Sequence, residues 1–372
     1  MKSNWPKVPL NKVVVPIDRG EKPISGKTYR QIGVRLWGEG AYEREPIDGI
    51  NTKYKQLYKV EKGNIIVNKI WARNGSVAVV SEPLAGCYAS GEFPIFSSKP
   101  DLLEPQWMHW LTKTSSFWDQ CDEKSRGTSG KNRIRPERFL EIGIPLPPLA
   151  EQKRIVARIE RLAEQINEAR ALRQQAIDEA KNFFSCFRTQ RFSELGVRFE
   201  NRPLGDLITM TSGNGLTSSQ MDITDPYPVY GGGGLTGRYS RYMFEESKVV
   251  IGRVGARCGC VFVTEPKAWI TDNALYLTKI SEDLYPPYLV HALATLDLRQ
   301  QANQAAQPVV SQKKINPLPI AVPPLTAQRR IVEELETIKV EVDKLERFQA
   351  ETSIELDEIM PSILDRAFKG EL

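Results

Sequence analysis

Residues 145–162 read PLPPLAEQKRIVARIERL, and residues 321–338 read AVPPLTAQRRIVEELETI. At an offset of 176, Pro147, Pro148 and Leu149 fall on Pro323, Pro324 and Leu325, while Gln152, Arg154, Ile155 and Val156 fall on Gln328, Arg330, Ile331 and Val332. The same offset carries on to Phe192 in the first copy and Phe368 in the second. A self-match of this kind means that one supersecondary unit is used twice.

Each copy has one apolar stripe at steps of four and three. In the first it runs Ile155, Ile159, Leu162, Ile166, Ala169, then Ala176, Ala180, Phe183 and Phe187. In the second it runs Ile331, Leu335, Ile338, Val342, Leu345, then Leu356, Ile359 and Ile363. Such spacing predicts two long helices that pack on each other as an antiparallel coiled coil. The Pro-Pro pairs block helix upstream and give each a sharp start. Mid-seam the stripe turns polar, at Arg173 against Gln349 and Ala176 against Thr352; breaks of this type fix register rather than add stability.

The stretches before the two helices also match, more loosely. IIVNKIWARNGSVAVV (65–80) lines up with VVIGRVGARCGCVFV (249–263), pairing Lys69 with Arg253, Arg73 with Arg257 and Gly75 with Gly259. Pro9-Leu10 likewise matches Pro203-Leu204. Short alternating runs at Asn64–Val67, Ser76–Val80, Lys248–Ile251 and Cys260–Val263 read as strands, with Gly231–Gly234 as a turn. Gln106–Asp119 and Pro287–Gln301 read as helical patches. The expected fold class is α+β with a pseudo-twofold internal repeat. Its parts are a strand-rich domain at 1–146, a helix region at 147–195, a second domain at 196–322 and a second helix region at 323–372.

Composition narrows the function. The 372 residues hold 51 Lys plus Arg against 46 Asp plus Glu, a net charge of +5, so any nucleic-acid contact rests on local basic patches. The five cysteines, Cys87, Cys121, Cys186, Cys258 and Cys260, include no CxxC pair, which predicts reduced thiols and no zinc site. No window approaches the roughly 18 apolar residues of a spanning helix.

Catalytic motifs fail one by one. Tyr285-Pro286-Pro287-Tyr288 and Asp225-Pro226-Tyr227 lack the Asn/Asp-Pro-Pro-aromatic order that an amino-methyltransferase needs to hold a base's amino group. Gly127-Thr128-Ser129-Gly130-Lys131 is not a Walker A loop. Asp101, Asp122 and Lys124 are a minimal metal-nuclease set, a short and permissive pattern that reads more simply as solvated loop charge. His109 and His291 sit among apolar residues of the helical patches and read as structural.

Basic residues beside glycines recur in both halves. The candidate DNA contacts are Lys69, Arg73, Arg126, Lys131 and Arg133 in the first, and Arg238, Arg241, Arg253, Arg257, Lys313 and Lys314 in the second. Asn132, Asn214, Gln304 and Gln307 are loop residues able to read base edges.

The repeated PPLAEQKRIV and PPLTAQRRIV helix starts, the AQPVVSQKKINPLPI run (306–320) and the C-terminal ILDRAFKGEL (363–372) make the chain resemble the specificity subunit of Type I restriction-modification systems over nearly its whole length. The resemblance implies two target-recognition domains, each reading half of a bipartite site in double-stranded DNA, with the helices as spacer. It implies two adenine methyltransferase (modification) subunits, which carry S-adenosylmethionine, and motor-nuclease (restriction) subunits as partners. The failed motifs predict no cofactor or catalytic centre in this chain, and its unpaired cysteines fit a cytoplasmic place, where the resemblance gives it a part in bacterial defence. Ala327 departs from the acidic Glu151 of the first copy, and the 127–131 loop differs from residues 304–311, so the two domains are expected to read different sequences. The competing expectation is a coiled-coil scaffold that organises protein partners without reading DNA.

Overall fold

In the computed structural model, which describes residues 5–125, 132–303 and 308–372, both Pro-Pro pairs are followed at once by a long helix. These are α1 (Leu149–Arg198) and α2 (Leu325–Phe368). The chain divides into two compact units, and each takes half of each helix: residues up to Leu172 with Ala350–Leu372, and Arg173–Gln349. Within the first unit Arg154 donates to the Leu372 carbonyl (3.0 Å) and Arg170 pairs with Asp357 (2.5 Å). Within the second, Lys181 pairs with Glu346 (2.8 Å) and Arg191 with Glu334 (2.7 Å). Within each unit the residue further along α1 meets the one earlier along the second segment, so the helices run antiparallel in both units. These ion pairs are exposed and mark register more than they stabilise, at roughly 0.2–1 kcal/mol each.

The apolar stripe is what holds the helices to their units. Ile155 and Ile159 are fully buried in the first core with Leu364 and Ala367, and Ile331 and Leu335 lie in the second core with Phe192 and Leu195. Two seam assignments fail. Phe183 is 59% and Ile359 40% exposed, and they occupy the same repeat position. A strict heptad drifts by about 20° per repeat on an α-helix, so after four heptads the position that returns to the starting face is the next one along. That position is Phe184 in α1 and Met360 in α2, and each packs against its core.

Both units build their cores on a four-stranded antiparallel sheet of the same order. In the first, β1 (Val14–Ile17), β2 (Ile65–Val67), β3 (Val77–Val79) and β4 (Ile95–Ser98) are arranged β1-β4-β2-β3. In the second, β5 (Ile208–Ser212), β6 (Val249–Gly252), β7 (Val261–Val263) and β8 (Ala274–Ile280) are arranged β5-β8-β6-β7. A two-stranded clasp ties each unit's entry to its helix: Lys7–Pro9 on Gly143–Pro145, and Asn201–Pro203 on Pro319–Ala321. A short helix caps each clasp. Trp107 Nε1, from Pro105–Leu111, donates to the Pro145 carbonyl (3.0 Å), and the Tyr288 hydroxyl, from Pro286–Thr295, donates to the Ala321 carbonyl (2.8 Å). Both patches are broken where the sequence suggested one helix: the first restarts as Ser115–Ser125, and the second ends before Asp297, whose φ of 36° interrupts it.

The units differ in their second sheets. The first carries five strands, including the long hairpin Thr28–Val34 and Ala41–Asp48; the second carries three, including the hairpin Tyr227–Gly231 and Gly234–Tyr239. All five cysteines are free. No helix among the described residues is long and apolar enough to cross a membrane.

Candidate nucleic-acid interface

The pairing of Lys69 with Arg253 is structural as well as sequential. The Lys69 carbonyl accepts the Ile134 N–H (2.9 Å), and the Arg253 carbonyl accepts the Val310 N–H (2.9 Å). Six residues on in each turn, Gly75 (φ 75°) and Gly259 (φ 85°) take the left-handed conformation. A Cβ at Gly75 would lie 2.8 Å from Trp118, and one at Gly259 would lie 2.5 Å from the Arg299 backbone nitrogen, so only glycine fits either place. The two basic turns are therefore the same device in both units.

Each turn is met by the tip of its own unit's hairpin. In the first unit the Trp37 N–H donates to the Asn74 carbonyl (2.6 Å) and the Gly38 N–H to the Gly75 carbonyl (3.2 Å). Trp37 holds φ 57° and stays 58% exposed, and Trp71 on the facing turn is 44% exposed. Arg73 Nε reaches Asn74 (3.3 Å), and Lys113 donates to the Gly38 carbonyl (3.0 Å), its burial lowering its pKa. Two exposed indoles and an arginine are thus carried on the hairpin tip and the turn it meets. The sequence reading missed them, because a tryptophan ordinarily signals core; the signal available was Trp37-Gly38-Glu39-Gly40, a tryptophan inside a glycine turn.

In the second unit the hairpin tip is the glycine run itself. Arg257 Nη1 donates to the Gly233 carbonyl (2.9 Å), and Arg253 Nη1 reaches the Asp272 carbonyl (3.4 Å). A Cβ at Gly232 would lie 2.7 Å from the carbonyls of Asn273 and Val254. Bare backbone therefore lines a cleft of about 280 Å³ with Val254, Thr271 and Asn273. The Thr271 hydroxyl is buried there with no hydrogen-bond partner. Slender backbone and two guanidiniums make a surface suited to phosphate and base-edge contact.

The remaining candidates divide. Arg133 is paired with Glu92 (3.2 Å), and Lys69 Nζ donates to the Gly91 carbonyl (2.5 Å). Arg238 donates to the carbonyls of Asp225 (2.6 Å) and Pro226 (2.5 Å), so part of its guanidinium is engaged in fastening the 222–226 loop. Arg241, Lys313 and Lys314 are exposed, the two lysines on the short helix Gln312–Ile315. Asn214 is exposed, its carbonyl accepting from Trp269 Nε1 (3.2 Å), and Asn132 is half-buried. Arg126, Lys131, Gln304 and Gln307 lie outside the described residues.

Elsewhere, Lys124 of the nuclease-like set is paired with Glu141 (2.7 Å). Among the described residues no three His, Cys, Asp or Glu side chains are grouped so as to hold a metal. His109 is pushed down to about 4 by burial, with Lys113 adding to the effect. His291 is likewise lowered by burial, although it bonds Glu336 (3.1 Å).

Known proteins share this plan. The chain is 21% identical over 300 residues to the specificity subunit of the Type I restriction enzyme EcoKI of Escherichia coli strain K12, covering 70% of this chain and 64% of that one. It is 24% identical over 309 residues to the StySPI specificity subunit of Salmonella potsdam, covering 73% and 66%. The matches thus span just under two thirds of these relatives' lengths. Among solved structures, the HsdS subunit of Thermoanaerobacter tengcongensis is similar over 100% of this chain and 98% of its own, with 25% identity and a TM-score of 0.58. A chain from a study of complex assembly and conformational transition of the type I R-M system shares the fold at a TM-score of 0.66 and 22% identity, over 100% of this chain and 99% of its own. The Type I restriction modification DNA specificity domain matches twice, over residues 2–177 and 196–356, and the chain belongs to that family.

Proposed function

We propose that this chain is the sequence-reading subunit of a Type I restriction-modification complex, each unit reading one half of a bipartite site in double-stranded DNA. The observation that carries this reading is the duplicated basic turn: Lys69 to Gly75 and Arg253 to Gly259 are anchored by equivalent bonds from Ile134 and Val310 and each ends on a left-handed glycine, each against a hairpin tip of different chemistry. One electrostatic device used twice suits contact with a repeating phosphate backbone, and two different tips suit two different half-sites. The long helices set the gap between the half-sites and dock two adenine methyltransferase subunits, which bring S-adenosylmethionine; motor-nuclease subunits complete the assembly. The chain itself recognises and does not catalyse, and it works in the cytoplasm.

Methylation mapping tests this. DNA from cells carrying this chain with its methyltransferase partner should show methyl-adenine in a split motif that vanishes when the chain is removed. Methylation unchanged by removal would defeat the reading. Inserting one helical turn at matched positions in α1 and α2 should change the gap of the motif and leave both halves as they were.

A further inference from the structure

The capping helices and long helices of the two units correspond residue by residue. The bonds of Trp107 to Pro145 and of Tyr288 to Ala321 align the two capping helices, which sets Trp110 opposite His291. On the long helices the offset of 176 sets Leu364 opposite Arg188 and Met360 opposite Phe184. In the first unit Leu364 is 3% exposed and Trp110 and Met360 pack against the same core, so the space is filled. In the second unit the smaller, polar His291 and the longer Arg188 leave a cleft of about 690 Å³, within the ordinary range for small-molecule sites.

The cleft has largely apolar walls, and among the described residues Arg188 and Lys279 are the two cations on its lining without an ion pair. Val249, Val261, Leu277, Ile280 and Val290 contribute its walls. Around it Lys248 is paired with Glu246 (2.6 Å), Lys339 with Asp343 (2.5 Å), and Glu336 with His291 (3.1 Å). The Arg188 guanidinium lies 5.4 Å from the Phe184 ring centre, and its Nε is shielded from solvent without any hydrogen-bond partner. The guanidinium lines the cleft without an acidic partner, and a bound carboxylate would supply one.

We propose that this cleft of the second unit binds a small aromatic carboxylate, its anionic head on the Arg188 guanidinium and its apolar body in the space that Trp110 and Leu364 occupy in the first unit. The indole and isobutyl groups found there set the size of that body. This site is separate from the basic turns and does not depend on DNA reading.

Indole-3-propionate is the probe, with its neutral amide as control, titrated calorimetrically into the full chain. The acid should bind, and the amide at least tenfold more weakly, about 1.4 kcal/mol. Arg188→Leu should weaken the acid by a similar factor while leaving the thermal unfolding profile in place. His291→Trp, which restores the first unit's filling, should abolish binding, and Arg188→Lys should keep part of it. Acid and amide binding equally, or binding that survives both Arg188→Leu and His291→Trp, would overturn the proposal. So would a cleft that ignores the probe at about millimolar concentration and gains hydrogen-exchange protection only when a protein partner is added.

Discussion

Gln152 and Gln328 make the same three backbone hydrogen bonds in the two units. Both are fully buried. Gln152 Nε2 donates to the carbonyls of Pro147 (2.9 Å) and Leu102 (2.9 Å), and its Oε1 accepts the Glu104 N–H (2.9 Å). Gln328 Nε2 donates to Pro323 (2.8 Å) and Asp283 (2.7 Å), and its Oε1 accepts the Tyr285 N–H (2.8 Å). Each glutamine thereby locks the Pro-Pro helix start to the loop entering the capping helix. Replacing either by leucine leaves three backbone groups without this partner, one of them in a buried bond and two part-buried, at a cost of about 2 kcal/mol. Gln152→Leu should lower hydrogen-exchange protection around Glu104 and leave Tyr285 unchanged, and Gln328→Leu should do the reverse. Equal loss at both places would show that the two starts are not independent locks.

Arg257→Ala should weaken specific DNA binding by about 1–3 kcal/mol and relax only the half-site read by the second unit. If the guanidinium meets phosphate instead of a base, affinity falls on all sequences and the salt slope drops by about one. Binding titrations at several salt concentrations, together with motif mapping, separate the two. Arg238→Ala should instead act on stability, because its donors serve the carbonyls of Asp225 and Pro226.

Trp37 can be tested with little structural penalty. Its φ of 57° is a conformation that glycine adopts freely, so Trp37→Gly keeps the turn and relieves strain of roughly 1 kcal/mol. Loss of the edge contact of its ring with Trp118 (centroids 6.0 Å apart) offsets that gain by about 0.5–1.5 kcal/mol, so the unfolding midpoint should move little. DNA affinity should fall about tenfold, since aromatic contact with a base is worth about 1–3 kcal/mol. Unchanged affinity would remove the exposed indole from the interface.

His109 gives a pH dependence with a definite sign. Its folded pKa, about 4, lies below its ordinary value of 6.5 because burial disfavours the charged ring. Below pH 6.5 the unfolded chain takes up the proton first, so stability from this group is complete above 6.5 and is lost as pH falls toward 4. His109→Gln should flatten the first unit's stability profile across that window, measured by denaturant unfolding at stepped pH. A profile of unaltered slope would assign the acid sensitivity to carboxylates.

Much of the architecture was legible in residue order. The twin Pro-Pro starts located both long helices, because proline cannot continue a helix upstream and the apolar spacing that follows suits one buried face. The match of Lys69, Arg73 and Gly75 to Arg253, Arg257 and Gly259 identified turns that the backbone then holds alike. The heptad reading failed at Phe183 and Ile359 because it assumed a 3.5-residue period, whereas α1 and α2 turn with 3.6 and bring Phe184 and Met360 to the core.

Sequence by itself determined what is local and periodic: two helices, their starts, the duplicated basic turns and the α+β pattern. Tertiary structure decided which donors are already engaged, as with Arg238 on the 222–226 loop, and which groups face solvent or a cleft, as with Trp37 and Arg188. The reason is physical. Periodicity depends on neighbours along the chain, but the availability of a charge or an indole depends on what distant segments bring against it, and the pattern of residues does not record that distance.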